Sequence, residues 1–339
     1  MADDGQTTEP NTPTRRTLVS GGSGFIGSHL VPLLLARGDH VTIVDNLSTG
    51  RRANTPADHA RLRFIEADLR DALRVLGPGE RFDEIYHLAA AVGVSRVLED
   101  PILAIETNVE QTAAILRFAS EHGPRGGNAR ILIASSSEVY GKSSKSPFSE
   151  DDDVLYGPTT VSRWSYACTK AIDEYLAFGH HRMRGLPAVA VRFFNTVGPR
   201  QVGDYGMVLP RFVGAALAGE PLRVFGDGAQ SRCFCDVRDV VDALPRLLAS
   251  DACIGRVFNV GSDEPITIAA LARRVVDVLG SGSPIVHEPY AGAYPEGFED
   301  LRQRRPDLTR VRAAIGFSAR IPLDQTIRDI AAWLREGRT

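Results

Sequence analysis

Apolar and polar positions alternate in blocks along the chain, and the blocks predict a repeating order of elements. Arg16–Ser20 is a short apolar run, Gly21–Gly27 follows, and a second apolar run covers His29 to Leu35. That order predicts strand, glycine turn and helix. Val41–Val44, Leu62–Ile65, Asp83–Leu88, Arg130–Ala134 and Ala188–Phe193 also read as strands, with helices over Ile102–Ala119 and Trp164–His181. Strands alternating with helices, glycine turn first, indicate an α/β fold with a doubly wound parallel sheet of the Rossmann kind.

The pattern changes after Phe193. Gly and Pro become more frequent and the elements shorten: Val208–Leu217, Arg238–Leu248 and Ile268–Leu279 read as helices, Leu222–Phe225 and Arg256–Val260 as strands. We therefore expect a dinucleotide-binding domain over 15–194 and a smaller α/β lobe over 195–339 that closes over the ligand. Part of 236–258 is expected to return to the first domain. Residues 1–14 are polar, carry Pro10 and Pro13, lack an apolar signal core, and read as a disordered tail.

Composition narrows the function classes. The 339 residues are enough for a sizeable core, and a net charge of −3 gives no reason to expect nucleic acid or an anionic membrane as partner. No apolar run reaches spanning length. The four cysteines are Cys168, Cys233, Cys235 and Cys253, and Cys233-x-Cys235 has no second pair at zinc spacing. They read as free thiols of a reducing cytoplasm, with no metal site.

Candidate chemistry begins at the turn. Gly21, Gly24 and Gly27 lie three apart between strand and helix. A nucleotide-binding turn needs such glycines for a tight backbone, close approach of a pyrophosphate, and close helix–sheet packing. The helix N-terminus then offers free N–H groups to phosphate. Asp45 ends the second strand, where a carboxylate accepts the ribose hydroxyls of an adenosine and repels a 2′-phosphate, favouring NAD over NADP. Arg51 and Arg52 could hold that phosphate, but their polar surroundings rank them as solvated loop charges. Asp68 suits either an adenine contact or a helix cap. Ala89–Ala91 suit either a flat ring lying on backbone or packing beneath a helix.

Ser135–Gly141 follows the fifth strand, beyond the carboxyl ends of the strands, where open parallel sheets bind ligands. A Ser-rich turn with a solvated Glu is the plainer account of the same residues. Tyr166 and Lys170, four apart, share one face of a helix. A phenol with a pKa of about 10 is a poor base at neutral pH, and a nearby ammonium is expected to bring it down.

Gly21-x-x-Gly24-x-x-Gly27, Asp45-Asn-Leu, His87-Leu-Ala-Ala90, Ser136-x-Glu-Val-Tyr-Gly141, Tyr166-x-x-x-Lys170 and Arg192-Phe-Phe-Asn195 together resemble the extended short-chain dehydrogenase/reductases that act on nucleotide-diphosphate sugars. The resemblance implies Tyr166 as acid/base at the sugar O4, Lys170 on the nicotinamide ribose, and Ser136 on the same oxygen as Tyr166. Around NAD it implies Phe25 and Ile26 in the turn; Asn46, Ser48, Thr49 and Gly50 after Asp45; Leu69 after Asp68; Leu88 to Ala90; and Asn108. It implies Asn195 and Arg232 on the diphosphate, Leu209, Arg223, Phe225 and Asn259 near the nucleoside, and Arg304 also toward the nucleotide. Ser137 stands where dehydratases place an acid, and Ser137–Glu138 is similar to the pair of UDP-glucuronic acid decarboxylases, the UDP-xylose synthases. Glu138 would then sit near C5, discourage the C6 anion, and position a proton donor, water or Arg232. The segment Gly198–Met207 looks closer to epimerase-like members, so a 4-epimerase is the second expectation. A 4,6-dehydratase and a non-catalytic NAD-binding protein are more remote; members of the latter kind commonly lose the Tyr or the Lys. The family also implies a homodimer, with Ile102–Ala119 and Trp164–His181 as the helices that pair.

Overall fold

Seven parallel strands form the central sheet in the order β11-β6-β5-β4-β1-β2-β3. The computed structural model of the protein describes residues 14–57, 59–90, 100–203, 207–289 and 301–337, so nearly all of the polar tail lies outside the described residues. The strands are β1 Arg16–Ser20, β2 His40–Asp45, β3 Leu62–Glu66, β4 Glu84–His87, β5 Arg130–Ser136, β6 Ala188–Phe193 and, after a long excursion, β11 Arg256–Val260. Interior positions of β1, β2, β4, β5 and β6 are almost all buried, as a sheet covered on both faces requires, while the edge strand β3 is only part-buried.

One face is covered by α1 (Phe25–Ala36), the other by α2 (Leu69–Val75), α3 (Pro101–Ala119) and α4 (Ser165–Arg184). α3 starts cleanly because Asp100 accepts the Leu103 N–H and Pro101 needs no donor there. α4 ends at Gly185, whose φ of 66° is the left-handed stop that glycine adopts without strain. The strand order reverses between β1 and β4, and their carboxyl ends, Ser20 and His87, are register partners. Open α/β sheets bind ligands in the crevice at such a reversal.

The remaining chain builds a second layer. β7 (Thr196–Val197) pairs with β10 (Cys235–Asp236); β8 (Leu222–Phe225) pairs with β13 (Ile285–Glu288); β9 (Ser231–Cys233) lies between β12 (Pro265–Thr267) and β14 (Gln303–Arg304). α5 (Val208–Ala218), α7 (Ile268–Leu279) and α9 (Leu323–Arg335) close a separate apolar cluster around Leu209, Phe212, Leu271 and Ile327. α6 (Val237–Ala249) instead packs against α1, and α8 (Thr309–Ile315) beside it contributes Val311 to the same core. The chain thus crosses back to the large sheet twice. α6 and β11 span Val237–Ala249 and Arg256–Val260; the return at Val311, and the helices α8 and α9, have no counterpart in the sequence reading.

Candidate active site

The dinucleotide end is made by the backbone. Gly21 has φ of +74°, and a Cβ there would lie 2.7 Å from the Ala89 nitrogen. A Cβ on Gly27 would lie 2.2 Å from the Gly21 carbonyl. Both positions therefore exclude a side chain, one for conformation and one for helix docking. α1 has no side-chain cap at Gly24, which leaves its first N–H groups to an anion. Asp45 accepts the Ser23 N–H at 2.9 Å and the Leu47 N–H at 2.8 Å, which fixes its carboxylate on the cleft wall. Asn46, Ser48 and Thr49 continue that wall; Gly50 stands behind it, where a Cβ would press on Asp45 Oδ1 at 3.0 Å.

Arg52 is committed elsewhere, its guanidinium 4.4 Å from the centre of the Phe64 ring. Asp68 occupies the N-cap position of α2 without making the cap bond; it accepts instead from Gln111 Nε2 at 3.1 Å and faces the cleft with Leu69. Leu88, Ala89 and Ala90 line the cleft beside Phe25 and Ile26. Ala91 lies outside the described residues. Asn108 is not on the wall: it is buried between α3 and α4, donating to Thr169 Oγ1 at 3.3 Å.

The sugar end is made by charged side chains. β5 ends at Ser136, whose Oγ accepts the Glu138 N–H at 3.2 Å and turns the chain into a short 3-10 segment, Ser137–Tyr140. Ser136, Ser137, Glu138, Tyr166 and Lys170 all face the cleft. The Tyr166 phenol lies above its ordinary range, contrary to the expectation. Burial is the main cause; Lys170 and a Ser136 hydrogen bond pull the other way, but Glu138 and Asp173 reinforce the rise. Burial would likewise strip the Lys170 proton, yet the Asp173 carboxylate at 3.0 Å holds the ammonium above its usual value.

Glu138 is clamped by Arg163 at 2.7 Å and Arg304 at 2.6 Å. Burial alone would raise its carboxyl; the Arg304 and Arg163 guanidiniums overcome it and hold the group at about 2. This corrects the expected role. A carboxylate offset by two cations does not repel a C6 anion, and its partners are Arg163 and Arg304, not Arg232. Arg304, expected toward the nucleotide, lines the cleft and is the second cation of this clamp. Arg232 donates to the carbonyls of Ser231 and Leu301, and it lies beside Arg304 as its register partner in the small sheet, on the same cleft wall.

Asn195 lines the cleft with φ of 34°, its amide donating to the Cys233 carbonyl at 3.2 Å. Leu209, Arg223 and Phe225 line the cleft from the lobe. Arg223 is paired with Glu288 at 2.6 Å and Arg211 lies over the Phe225 ring. Asn259, expected near the nucleoside, does not line the cleft. It is fully buried, accepts the Tyr140 hydroxyl at 2.7 Å and donates to the Phe148 carbonyl at 3.0 Å.

Dinucleotide end, Tyr–Lys pair and lobe thus face one cleft of about 930 Å³. That is near the upper end for small-molecule sites, as two ligands meeting in one space require. Sequence reasoning missed Arg163, Gln111 and Asp173. Arg163 and Asp173 had a signal, since each lies three residues from Tyr166 or Lys170 and so on the same side of the helical turn. Gln111 had none.

A glycine turn at a sheet reversal, an acid at the end of β2, and a Tyr–Lys pair across the same cleft define a dinucleotide-dependent protein of the short-chain dehydrogenase/reductase class. The chain belongs to the NAD dependent epimerase/dehydratase family, whose profile matches residues 17–261, and its cofactor is NAD. It is 40% identical over 324 residues to the UDP-N-acetyl-alpha-D-glucosaminuronate decarboxylase of Bacillus cytotoxicus, covering 95% of this chain and 98% of the relative. It is 32% identical to UDP-glucuronic acid decarboxylase 1 of Xenopus tropicalis, covering 95% of this chain and 72% of the relative. Among solved structures, the UDP-N-acetylglucosamine 4-epimerase of Methanobrevibacter ruminantium M1, in complex with UDP-N-acetylmuramic acid, superposes with a TM-score of 0.85 at 30% identity, covering 96% of this chain and all of that one.

Proposed function

We propose that the protein is an NAD-dependent decarboxylase of a UDP-hexuronic acid, converting UDP-glucuronic acid to UDP-xylose. The observation that carries this is the sugar-end wall: Glu138 held ionised between Arg163 and Arg304, beside Ser136 and Tyr166. With Arg232 on the same wall, cations outnumber carboxylates there among the described residues, which suits a sugar carrying both a diphosphate and a carboxylate.

NAD, held by the glycine turn and Asp45, would supply the hydride acceptor for C4 and the hydride for its return. Tyr166 takes the O4 proton. The C6 carboxylate is then β to a ketone, and CO₂ loss moves its electrons onto the former O4. Tyr166 and Ser136 direct donors at that oxygen, so the groups that assist oxidation also stabilise the enolate. C5 then takes a proton from solvent water, and Tyr166 gives its proton back to O4 as hydride returns to C4. Incomplete hydride return would release the UDP-4-keto-pentose. The Bacillus relative's substrate bears an acetamido group at C2, so both uronates belong in the test. Incubation of the NAD-loaded protein with each, followed by proton NMR, is expected to give a UDP-pentose with CO₂ release. A C4-inverted UDP-uronate that keeps C6 would overturn the proposal in favour of a 4-epimerase.

We also infer a homodimer in a reducing cytoplasm. α3 and α4 pack side by side and leave Ile102, Ile105, Ile172, Tyr175 and Met183 exposed, more apolar surface than isolated helices in water present without reason. The four thiols are unpaired, and three of them are buried. Sedimentation at micromolar concentration is expected to show twice the chain mass.

A further inference from the structure

Asp68 stands where a helix cap belongs and does not cap. It precedes α2 with φ of −60° and ψ of 142°, a posture from which a carboxylate ordinarily accepts a first-turn N–H of its own helix, yet it makes no such bond. Its Oδ1 accepts instead from Gln111 Nε2 of α3 at 3.1 Å, and Asn46 Nδ2 stands 3.5 Å from its Oδ2. Gln111 is 7% exposed while Asp68 is an exposed residue of the cleft wall. A buried amide thus holds an open carboxylate. α3 turns one stripe to that wall, Leu103, Thr107 and Gln111, spaced four apart on one helix face.

The sheet order sets what lies opposite. From the reversal, the strands run outward as β1, β2 and β3 on one side and as β4 and β5 on the other. The glycine turn follows β1, Asp45 ends β2 and Asp68 follows β3. Ser136 ends β5, on the same cleft wall as Tyr166. A dinucleotide with its pyrophosphate at the turn and its nicotinamide toward Tyr166 therefore carries its adenosine past Asp45 to Asp68. Asp45 meets the ribose, and the base comes next.

Adenine presents one exocyclic group, an amine whose N–H groups donate, and an ionised carboxylate only accepts. Asp68 has lone pairs to spare after its two amide neighbours, since a carboxylate offers about four acceptor sites. We propose that Gln111 is a positioning residue for recognition of the base. It draws the Asp68 carboxylate off the start of α2 and onto the cleft wall, where that carboxylate accepts from the adenine amine. Without Gln111, Asp68 is free to turn back to the Arg70 or Asp71 N–H, the ordinary partners of a cap. A hypoxanthine base carries a carbonyl oxygen in place of the amine and would set acceptor against acceptor, so the pair selects adenine.

The inference rests on NAD binding in this cleft and not on which sugar reacts, so no sugar enters its test. Full-length protein freed of nucleotide is titrated by calorimetry with NAD and with nicotinamide hypoxanthine dinucleotide. The native protein is expected to bind NAD about ten-fold or more tightly, the worth of one hydrogen bond to a charged acceptor. In Gln111→Leu, NAD affinity falls while that of the hypoxanthine dinucleotide holds, so the preference shrinks by about five-fold or more. Gln111→Met, also apolar and of similar length, gives the same reading should the first variant not fold. Asp68→Ala removes the preference outright. In that background Gln111→Leu has no further effect on it, because the amide acts through the carboxylate. A preference that persists in both Gln111 variants, an equal loss for the two dinucleotides, or a native protein indifferent to the base overturns the proposal. Absence of decarboxylation would overturn the proposed reaction and leave this inference standing.

Discussion

The two ends of the cleft are built by different means. At the dinucleotide end, one run of chain from Ser20 to Ser28 supplies the turn and helix N-terminus, and Asp45 is held by backbone N–H groups. At the sugar end, the groups that matter are side chains held by other side chains: Glu138 by Arg163 and Arg304, Lys170 by Asp173. A backbone site is specified by what each residue permits. A side-chain site is specified by which charges the fold brings together, because buried charges persist only when paired.

The contrast can be broken most severely at the acid/base. Tyr166→Phe removes one hydroxyl and is expected to leave fold and NAD binding intact while turnover drops by about two to four orders of magnitude. C4 oxidation followed as transient NADH absorbance checks this; near-full oxidation would dismiss Tyr166 as the base.

Next in size is the clamp. Glu138→Gln leaves two buried guanidiniums without their carboxylate, and removal of one partner from a buried pair costs about 3 kcal/mol or more. The same group predicts an acid window. Its folded value of about 2 lies below the ordinary 4.5, so its stabilisation is fully present above pH 4.5 and lost as pH falls through 2. Denaturant unfolding from neutral to acid pH is expected to show that window in the native protein and to lack it in Glu138→Gln. Equal acid sensitivity would place the charge pairing outside the stability of the fold.

The backbone end should break differently. Gly27→Ala sets a methyl against the Gly21 carbonyl, an overlap of the kind that costs about 1–3 kcal/mol. NAD affinity by calorimetry is expected to fall by about ten-fold or more, with UDP-sugar affinity little changed. A loss shared equally by both ligands would mean that the two ends are not separable. Asp45→Ala is of similar or smaller effect: about 1.5–3 kcal/mol of charged hydrogen bonding is removed from NAD, and the bar to NADP is relieved. Equal affinity of the native protein for NAD and NADP would refute Asp45 as the selector.

What the amino-acid sequence determined by itself was the part that local chemistry dictates. Glycine spacing, strand and helix periodicity and an acid at a strand end are properties of short segments, and they located the first strand, the turn after it and Asp45. The Tyr166–Lys170 pair was legible for the same reason, since four residues on a helix fix a shared face. Tertiary structure alone decided the rest. Glu138 and Arg304 are 166 positions apart, and β14 brings them to 2.6 Å only by returning beside β9. Asn259 and Asn108 carry the same amide as Asn195, yet only Asn195 faces the cleft, because burial and partners set a polar group's role. The Tyr166 phenol lies high where sequence spacing called for low, because spacing records Lys170 but not burial, the largest influence on it, nor the carboxylates that the fold places alongside.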